Sequence, residues 1–282
     1  MKTDLHIHTW ASDGTWSPEM LLEKVKQAEI NVFSVTDHDE IESSERIKEL
    51  VQNDKLVFIP GVEVSCTFRD REYHLTAYHY KQTPDFLRLI DWNKETRLKY
   101  NDAFIKMIAK EDSRVSIEDY HEQYQNDTRR GGWKALNYLL DKNIYSSKGD
   151  YFKALNISGL TLVFKEAEEV ISRLKASGAY VFLAHPSYYY PGEAMSVMEL
   201  KNWKGLGIDG IECITPYGLD KQQIDFYKAF CKKHQLMISG GSDCHGDFLS
   251  RPLGYPQITI DDLEIHPLLN ERESFSQLAS RR

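Results

Sequence analysis

The sequence predicts an α/β fold in which a parallel sheet closes, or nearly closes, into a barrel and one connection carries a helical insertion. Three observations lead there. Short apolar runs alternate with amphipathic ones over the first 80 or so residues, the same rhythm resumes after about residue 160, and the stretch between is polar, aromatic and helical in pattern. The 282 residues are 41% hydrophobic and 28% charged, a globular composition that suits one large domain or a domain with an insertion.

Taken in order, "TDLHIHT" reads as a strand, and "SPEMLLEKVKQAEI" as a helix with Ser17 as N-cap and Pro18 at its first position. "NVFSVTDHD" is a second strand, followed by the helix "ESSERIKELVQN". "KLVFIPGVEVS" and "EYHLTAYHY" supply two more β segments. Residues 82–158 form the insertion, with helices in "DFLRLIDWNKETRLKYNDAFIKMIAK" and "WKALNYLLDK", which leaves 1–81 and 159–282 for the barrel. There, "TLVFKEAEEVISRLKASG" reads as a helix closed by Gly178, then "AYVFLAH" and "GIDGIECI" as strands, "KQQIDFYKAFCKKHQ" as a helix and "LMISGGSD" as a strand. No internal repeat or low-complexity tract interrupts this order.

No apolar run approaches the roughly 18–20 residues of a membrane span, and no basic-then-apolar signal pattern opens the chain. The expectation is a cytoplasmic protein with no membrane partner and no obligate protein partner. Its four cysteines (Cys66, Cys213, Cys231, Cys244) lack CxxC spacing and read as buried free thiols. The formal net charge of -8 disfavours tight, non-specific binding of long polynucleotides.

Of ten histidines, six fall at the ends of expected strands: His6, His8, His38, His74, His185 and His245. Carboxylates accompany them at Asp13, Asp37, Asp39, Glu63 and Asp243. The C-terminal ends of parallel barrel strands open on one face, so these residues converge there although distant in sequence. His6 and His8 share a face by the strand period of two, and Asp243 with His245 repeats that spacing. Mixed imidazole and carboxylate ligation suits Zn²⁺, Mn²⁺ or Fe²⁺. Six histidines with Asp13, Glu63 and Asp243 suffice for up to three ions if Glu63 bridges. His121, His234 and His266 read as surface residues, and the odd offset of His79 from His74 turns it to the other face.

"DLHIHTWASDGTWSPEMLLEKV", "VTDHD", "IPGVEVS", "HLTAYHY", "AHPS" and "GSDCHG" together resemble the ordered motifs of the PHP (polymerase and histidinol phosphatase) superfamily, and in particular its TrpH-like stand-alone phosphoesterases. The resemblance covers residues 1–80 and about 160–255. It implies a distorted (β/α)7 TIM-like barrel with a trinuclear metal centre and a helical insertion. Carried over residue by residue, it assigns His6, His8, Glu63 and Asp243 to one metal. Glu63 bridges to a second held by His74 and His185, and Asp13, His38 and His245 hold a third. Asp37 and Asp39 are expected to orient imidazoles. Relatives in this group carry an Arg-Pro-His-type stretch in the insertion, where this chain has "DTRRGGWKALNYLLD".

The expected activity is hydrolysis of a small phosphate monoester, most naturally a nucleotide such as a 3',5'-nucleoside bisphosphate. Three divalent cations against three carboxylates leave about three positive charges for a phosphate dianion. A hydroxide bridging two metals would be the nucleophile, with Asp13, His38, Glu63 and His245 as the catalytic set and no covalent intermediate. Arg130, Arg251 and Lys134 are candidate substrate contacts, with Arg129 read as a surface charge. Tyr188 to Tyr190 and Trp133 read as packing residues, with stacking on a base as the alternative. Rival readings are a histidinol-phosphate phosphatase, a 5'-3' exonuclease on short oligonucleotides, a non-catalytic metal-binding module, and a C–N hydrolase. The last lacks a lysine where a carbamylated bridge would sit.

Overall fold

A computed structural model describes residues 1–52, 54–124 and 129–270. Strands β1 (Lys2–Asp4), β2 (Ile30–Phe33) and β3 (Val57–Phe58) form a parallel three-stranded sheet. Strands β4 (Gly61–Phe68), β5 (Arg71–Tyr78), β6 (Tyr180–Leu183), β7 (Gly210–Ile214) and β8 (Met237–Gly240) form a second sheet in that order. Isolated parallel bridges, Ile7 with Cys244 and His38 with Glu63, join the two sheets at their edges. Both bridges lie beside expected metal ligands, so the seams of the TIM-like frame coincide with the candidate site.

The sheet is not parallel throughout. β5 runs antiparallel to both β4 and β6. Its connection to β4 is only Arg69 and Asp70, both at positive φ (52° and 59°), the geometry of a two-residue hairpin turn. A parallel crossover needs a dozen or more residues, so this spacing excludes one. His74 therefore does not end a strand: it stands inside β5, opposite Ser65 of β4.

Around the sheets lie α1 (Pro18–Gln27), α2 (Glu42–Leu50), α3 (Pro84–Ala109), α4 (Ile117–Tyr124), α5 (Lys134–Asp141), α6 (Lys148–Ile157), α7 (Ala167–Ala176), α8 (Pro186–Tyr189), α9 (Val197–Leu206) and α10 (Lys221–His234). Ser17 caps α1 by accepting from the Met20 N–H at 3.1 Å, as its position before Pro18 foretold. α7 is shorter than the apolar periodicity implies. The residues before it run beside the end of β4, where the Thr67 N–H donates to Lys165 O and the Phe164 N–H to Thr67 Oγ1, both at 2.9 Å. Asp127 and Thr128, which open the "DTRRGG" stretch, and the tail 271–282 lie outside the described residues.

α3 belongs to two cores. Phe86, Leu89 and Ile90 pack into the main core with Val62, Leu75 and Val181. Phe104, Ile105 and Ile108 pack with Leu136, Tyr138 and Tyr151 in a separate cluster inside the insertion. At 1.5 Å per residue, the helix climbs about 20 Å from Pro84 to Arg97. It carries the insertion from the end of β5 to the level of the histidines.

Candidate metal centre

Beyond β1 the chain keeps its alternation: Leu5 enters the main core and Ile7 a second one under α1, while His6 and His8 point together. Gly241 makes this possible, since a Cβ there would lie 2.4 Å from the His6 backbone N. Asp4 has no ligand position. Its carboxylate accepts from the Ser242 and Gly254 N–H groups at 2.8 and 2.9 Å and ties β1 to the segment that follows β8.

Glu63 is the hub. Its Oε2 lies 3.2 Å from His6 Nε2, 3.3 Å from His8 Nε2 and 3.1 Å from His38 Nδ1. Its Oε1 lies 2.8 Å from His185 Nε2 and 3.2 Å from His74 Nδ1. Asp243 Oδ1 is 3.0 Å from His8 Nε2, and Asp13 Oδ2 is 3.2 Å from His245 Nε2. Donor atoms within 4.8 Å of one another form four groups: His8, Asp13, His38 and His245; His6, His8 and Asp243; His6, Glu63 and His185; and His38, Glu63 and His74. All nine expected ligands belong to at least one group. The first contains the expected third set with His8 added, and the last two divide the expected second set.

The protonation of these rings tests whether they fit a cation. His6 Nδ1 donates to Glu212 Oε1 at 2.8 Å, so in a neutral ring Nε2, 3.1 Å from His8 Nε2, would be the atom that ligates. His74 Nε2 likewise faces Glu72 Oε1 at 3.1 Å, so in a neutral ring Nδ1 would be the ligating atom. His38 Nδ1, His74 Nδ1 and Glu63 Oε2 are buried without a hydrogen-bond partner. Imidazole nitrogens and carboxylate oxygens crowded this closely need protons or a metal ion among them, and a divalent ion would replace several protons at once. The residues fit divalent metal. Burial alone would raise Glu63, but the imidazoles of His6, His38 and His74 hold its carboxyl well below the usual range, ready to ligate.

A cavity of about 460 Å³ opens on this cluster. His38, His74, Asp13 and His245 line its floor, and Trp133, Tyr188, Tyr217 and Phe248 its walls. Arg251 reaches it too, but its guanidinium and the Tyr217 hydroxyl both bond Asp243 Oδ2. Lys134 lines a smaller cleft of about 160 Å³ that shares His38, Arg97 and Trp133 with the main cavity. Arg130 is not brought to either space: it pairs with Asp141 at 2.5 and 2.8 Å on the insertion surface, where the α5 carboxylate lies within its reach. Arg129 lies in an outer cleft near Glu40 and Glu45.

Asp37 and Asp39 do not orient imidazoles. Asp37 accepts from the N–H and hydroxyl of Thr9 and from Ser12 Oγ, fixing the loop that presents Asp13. Asp39 accepts from Ser65 and Asn93 and fastens β4 to α3. Glu212 and Glu72 take the orienting role instead. Glu212 interrupts the apolar strand "GIECI", a buried-carboxylate signal legible in sequence, and Glu72 stands one strand period before His74. Among the tyrosines, Tyr188 is 51% exposed at the cavity mouth, whereas Tyr189 is buried with its hydroxyl accepting from the His74 N–H at 2.8 Å. His79 turns away and meets Leu268 O.

A TIM-like frame that gathers six imidazoles and three carboxylates at one cavity defines a metal-dependent hydrolase. The chain belongs to the PHP domain family, whose model matches residues 4–181, and it is a metal-dependent enzyme acting on phosphoric esters. It is 27% identical over 263 residues to a 5'-3' exoribonuclease of Haemophilus influenzae, covering 86% of this chain and 90% of that one. It is 19% identical to a 3',5'-nucleoside bisphosphate phosphatase of Chromobacterium violaceum, covering 86% of each. Its fold matches the crystal structure of a putative metal-dependent phosphoesterase from Bifidobacterium adolescentis with a TM-score of 0.79 at 22% identity, over 92% of this chain and 93% of that one.

Proposed function

We propose that the protein hydrolyses the phosphate ester of a nucleotide-type substrate, with a 3',5'-nucleoside bisphosphate as its small-molecule form, at a centre of two to three Mn, Fe or Zn ions. The observation that carries this reading is a buried cluster of imidazole nitrogens and carboxylate oxygens beneath a cavity walled by aromatic rings. Its volume lies in the range of about 300–1,000 Å³ usual for small-ligand sites. In this reading His6, His8, Glu63 and Asp243 hold one ion, Glu63, His74 and His185 a second, and Asp13, His38 and His245 a third. When bound, such ions supply hydroxide at neutral pH and neutralise phosphoryl oxygens.

The chain's own residues do the rest. Glu212 and Glu72 keep His6 and His74 in the ligating tautomer. Arg251 holds the outer oxygen of Asp243 and offers its remaining N–H groups to a phosphate at the cavity wall. Trp133, Tyr188 and Phe248 present rings on which a base can stack. No serine or cysteine lines the cavity among the described residues, so in this reading the nucleophile is water activated at the centre.

A second reading, removal of nucleotides from the 5' end of short oligonucleotides, is favoured by the Haemophilus relative and by the adjoining cleft beyond Trp133. Phosphate and mononucleotide release would be measured with Mn²⁺, Zn²⁺ or Fe²⁺. The panel is 3',5'-bisphosphates, 5'-phosphorylated RNAs of two to five nucleotides, histidinol phosphate and p-nitrophenyl phosphate. The leading reading expects inorganic phosphate from the bisphosphate with the highest kcat/KM. Mononucleotide release from the RNAs at higher kcat/KM would replace it with the second. No turnover of any nucleotide would overturn both.

A further inference from the structure

Several insertion residues line the cavity over the candidate centre, and one of them, Arg97, bonds directly to the hairpin that carries His74. Arg97 stands in the middle of α3, between the part buried in the main core and the part buried in the insertion core. Its Nη2 donates to Glu72 Oε1 at 2.8 Å and to Ser65 Oγ at 2.9 Å. The same Glu72 oxygen faces His74 Nε2 at 3.1 Å, and Ser65 is the cross-strand partner of His74. Arg97 thus grips both strands of the β4–β5 hairpin at the level of His74. The other face of the guanidinium lies 4.5 Å from the Trp133 ring, which is itself 5.7 Å from the His38 ring.

We propose that Arg97 is a positioning residue for the metal centre: through Glu72 it holds His74 with Nδ1 turned to Glu63, so that the insertion sets one subsite of the centre. The inference rests on the metal reading above. A carboxylate held by a guanidinium has a fixed direction, and it fixes the imidazole proton on Nε2. Without Arg97, Glu72 is a half-exposed carboxylate with no cation holding it, and His74 is free to rotate or to carry its proton on Nδ1. A merely structural Arg97, fastening α3 to the hairpin, would leave the affinity of the centre unchanged.

The test compares Arg97→Gln, Glu72→Gln and their double variant with the wild type and with His74→Ala. Mn²⁺ and Zn²⁺ content after dialysis would be measured by mass spectrometry, dissociation constants by competition, and thermal midpoints alongside. Loss of such an orienting partner typically weakens metal affinity about 10- to 100-fold. That loss is expected, in each single variant, for the ion that His74→Ala also loses, with no further loss in the double variant, because both act through one bond. If Arg97→Gln does not fold, Glu72→Gln still carries the test, since it replaces a rim side chain by its isostere. Wild-type affinity in Glu72→Gln or Arg97→Gln, whatever the melting point, would overturn the proposal. If the wild type itself retained no metal, the metal reading would fall first. If His74→Ala lost an ion that Arg97→Gln kept, only the role of Arg97 would fall.

Discussion

Glu212→Gln separates the geometry of the centre from its charge. Glu212 is 1% exposed, and its two oxygens accept from His6 Nδ1 and from the His185 backbone N–H, each at 2.8 Å. Glutamine keeps the shape but offers one acceptor and one NH2 group, so it satisfies only one of the two donors. If its oxygen stays on the His185 N–H, the NH2 faces His6 Nδ1 and drives the proton to Nε2, the atom that points at Glu63. If it turns the other way, the His185 N–H is buried against a donor. Losing one such charged hydrogen bond costs about 1.5–3 kcal/mol. At about 2–4 °C per kcal/mol for a chain of this size, the melting midpoint of chelator-treated protein falls about 3–12 °C. The first arrangement also lowers metal affinity about 10- to 100-fold. Differential scanning calorimetry in EDTA and competitive Zn²⁺ titration read the two effects. A variant that matches the wild type in both would refute the orienting role of Glu212.

Two further outcomes follow from the same contacts. Arg251→Ala is expected to lower kcat as well as raise KM, because its guanidinium holds Asp243 and lies at the cavity wall. Steady-state kinetics on the best substrate of the panel checks it, and a KM effect alone would mean that Arg251 grips substrate and not Asp243 during turnover. In metal-free protein, burial would lower His8 and His74. Hydrogen bonds to Asp243 and Glu63 raise His8 to about 9, and Glu63 with Glu72 raises His74 to about 10. An imidazole raised above its unfolded value adds stability that is complete below about pH 6.5 and is lost as the pH climbs through the folded value. Chelator-treated protein should therefore melt lower at about pH 9.5 than at about pH 6.5, whereas metal loading, which needs neutral imidazoles, should improve over that interval. Melts with and without Mn²⁺ at both values test it, and the opposite order in the metal-free protein would count against these pairings.

The nine expected ligands could be picked out because residue type and strand rhythm mostly coincide, although His74 and Glu63 stand inside β5 and β4 and not at strand ends. A histidine or acid closing an apolar run is a local feature, and a barrel brings local features together. The partners that orient them were harder to read. Asp37 and Asp39 look like orienting groups because they flank His38, yet adjacent residues on an extended chain point to opposite sides, and both went to hydroxyls and amides instead. Glu212 was missed because an apolar strand invites counting its hydrophobes and not its exception. Arg97 carries no signal at all: one arginine in a helix rich in Lys, Arg, Asp and Glu looks like surface until the register of α3 against the hairpin is known.

The antiparallel β5 explains why the insertion can bear on the chemistry. A strand running with its neighbours would leave the sheet at the histidine face, and a segment inserted after it would hang over the cavity as a loop. β5 instead runs back and ends at Tyr78, level with the start of β6. The chain must then climb again, and it does so as the rigid helix α3, packed against the hairpin that holds Glu63, Glu72 and His74. The two-residue turn at Arg69 and Asp70 thus does more than reverse a strand. It sends the chain back below the site so that a helix, and not a flexible segment, returns to meet it with Asn93 and Arg97 already in place.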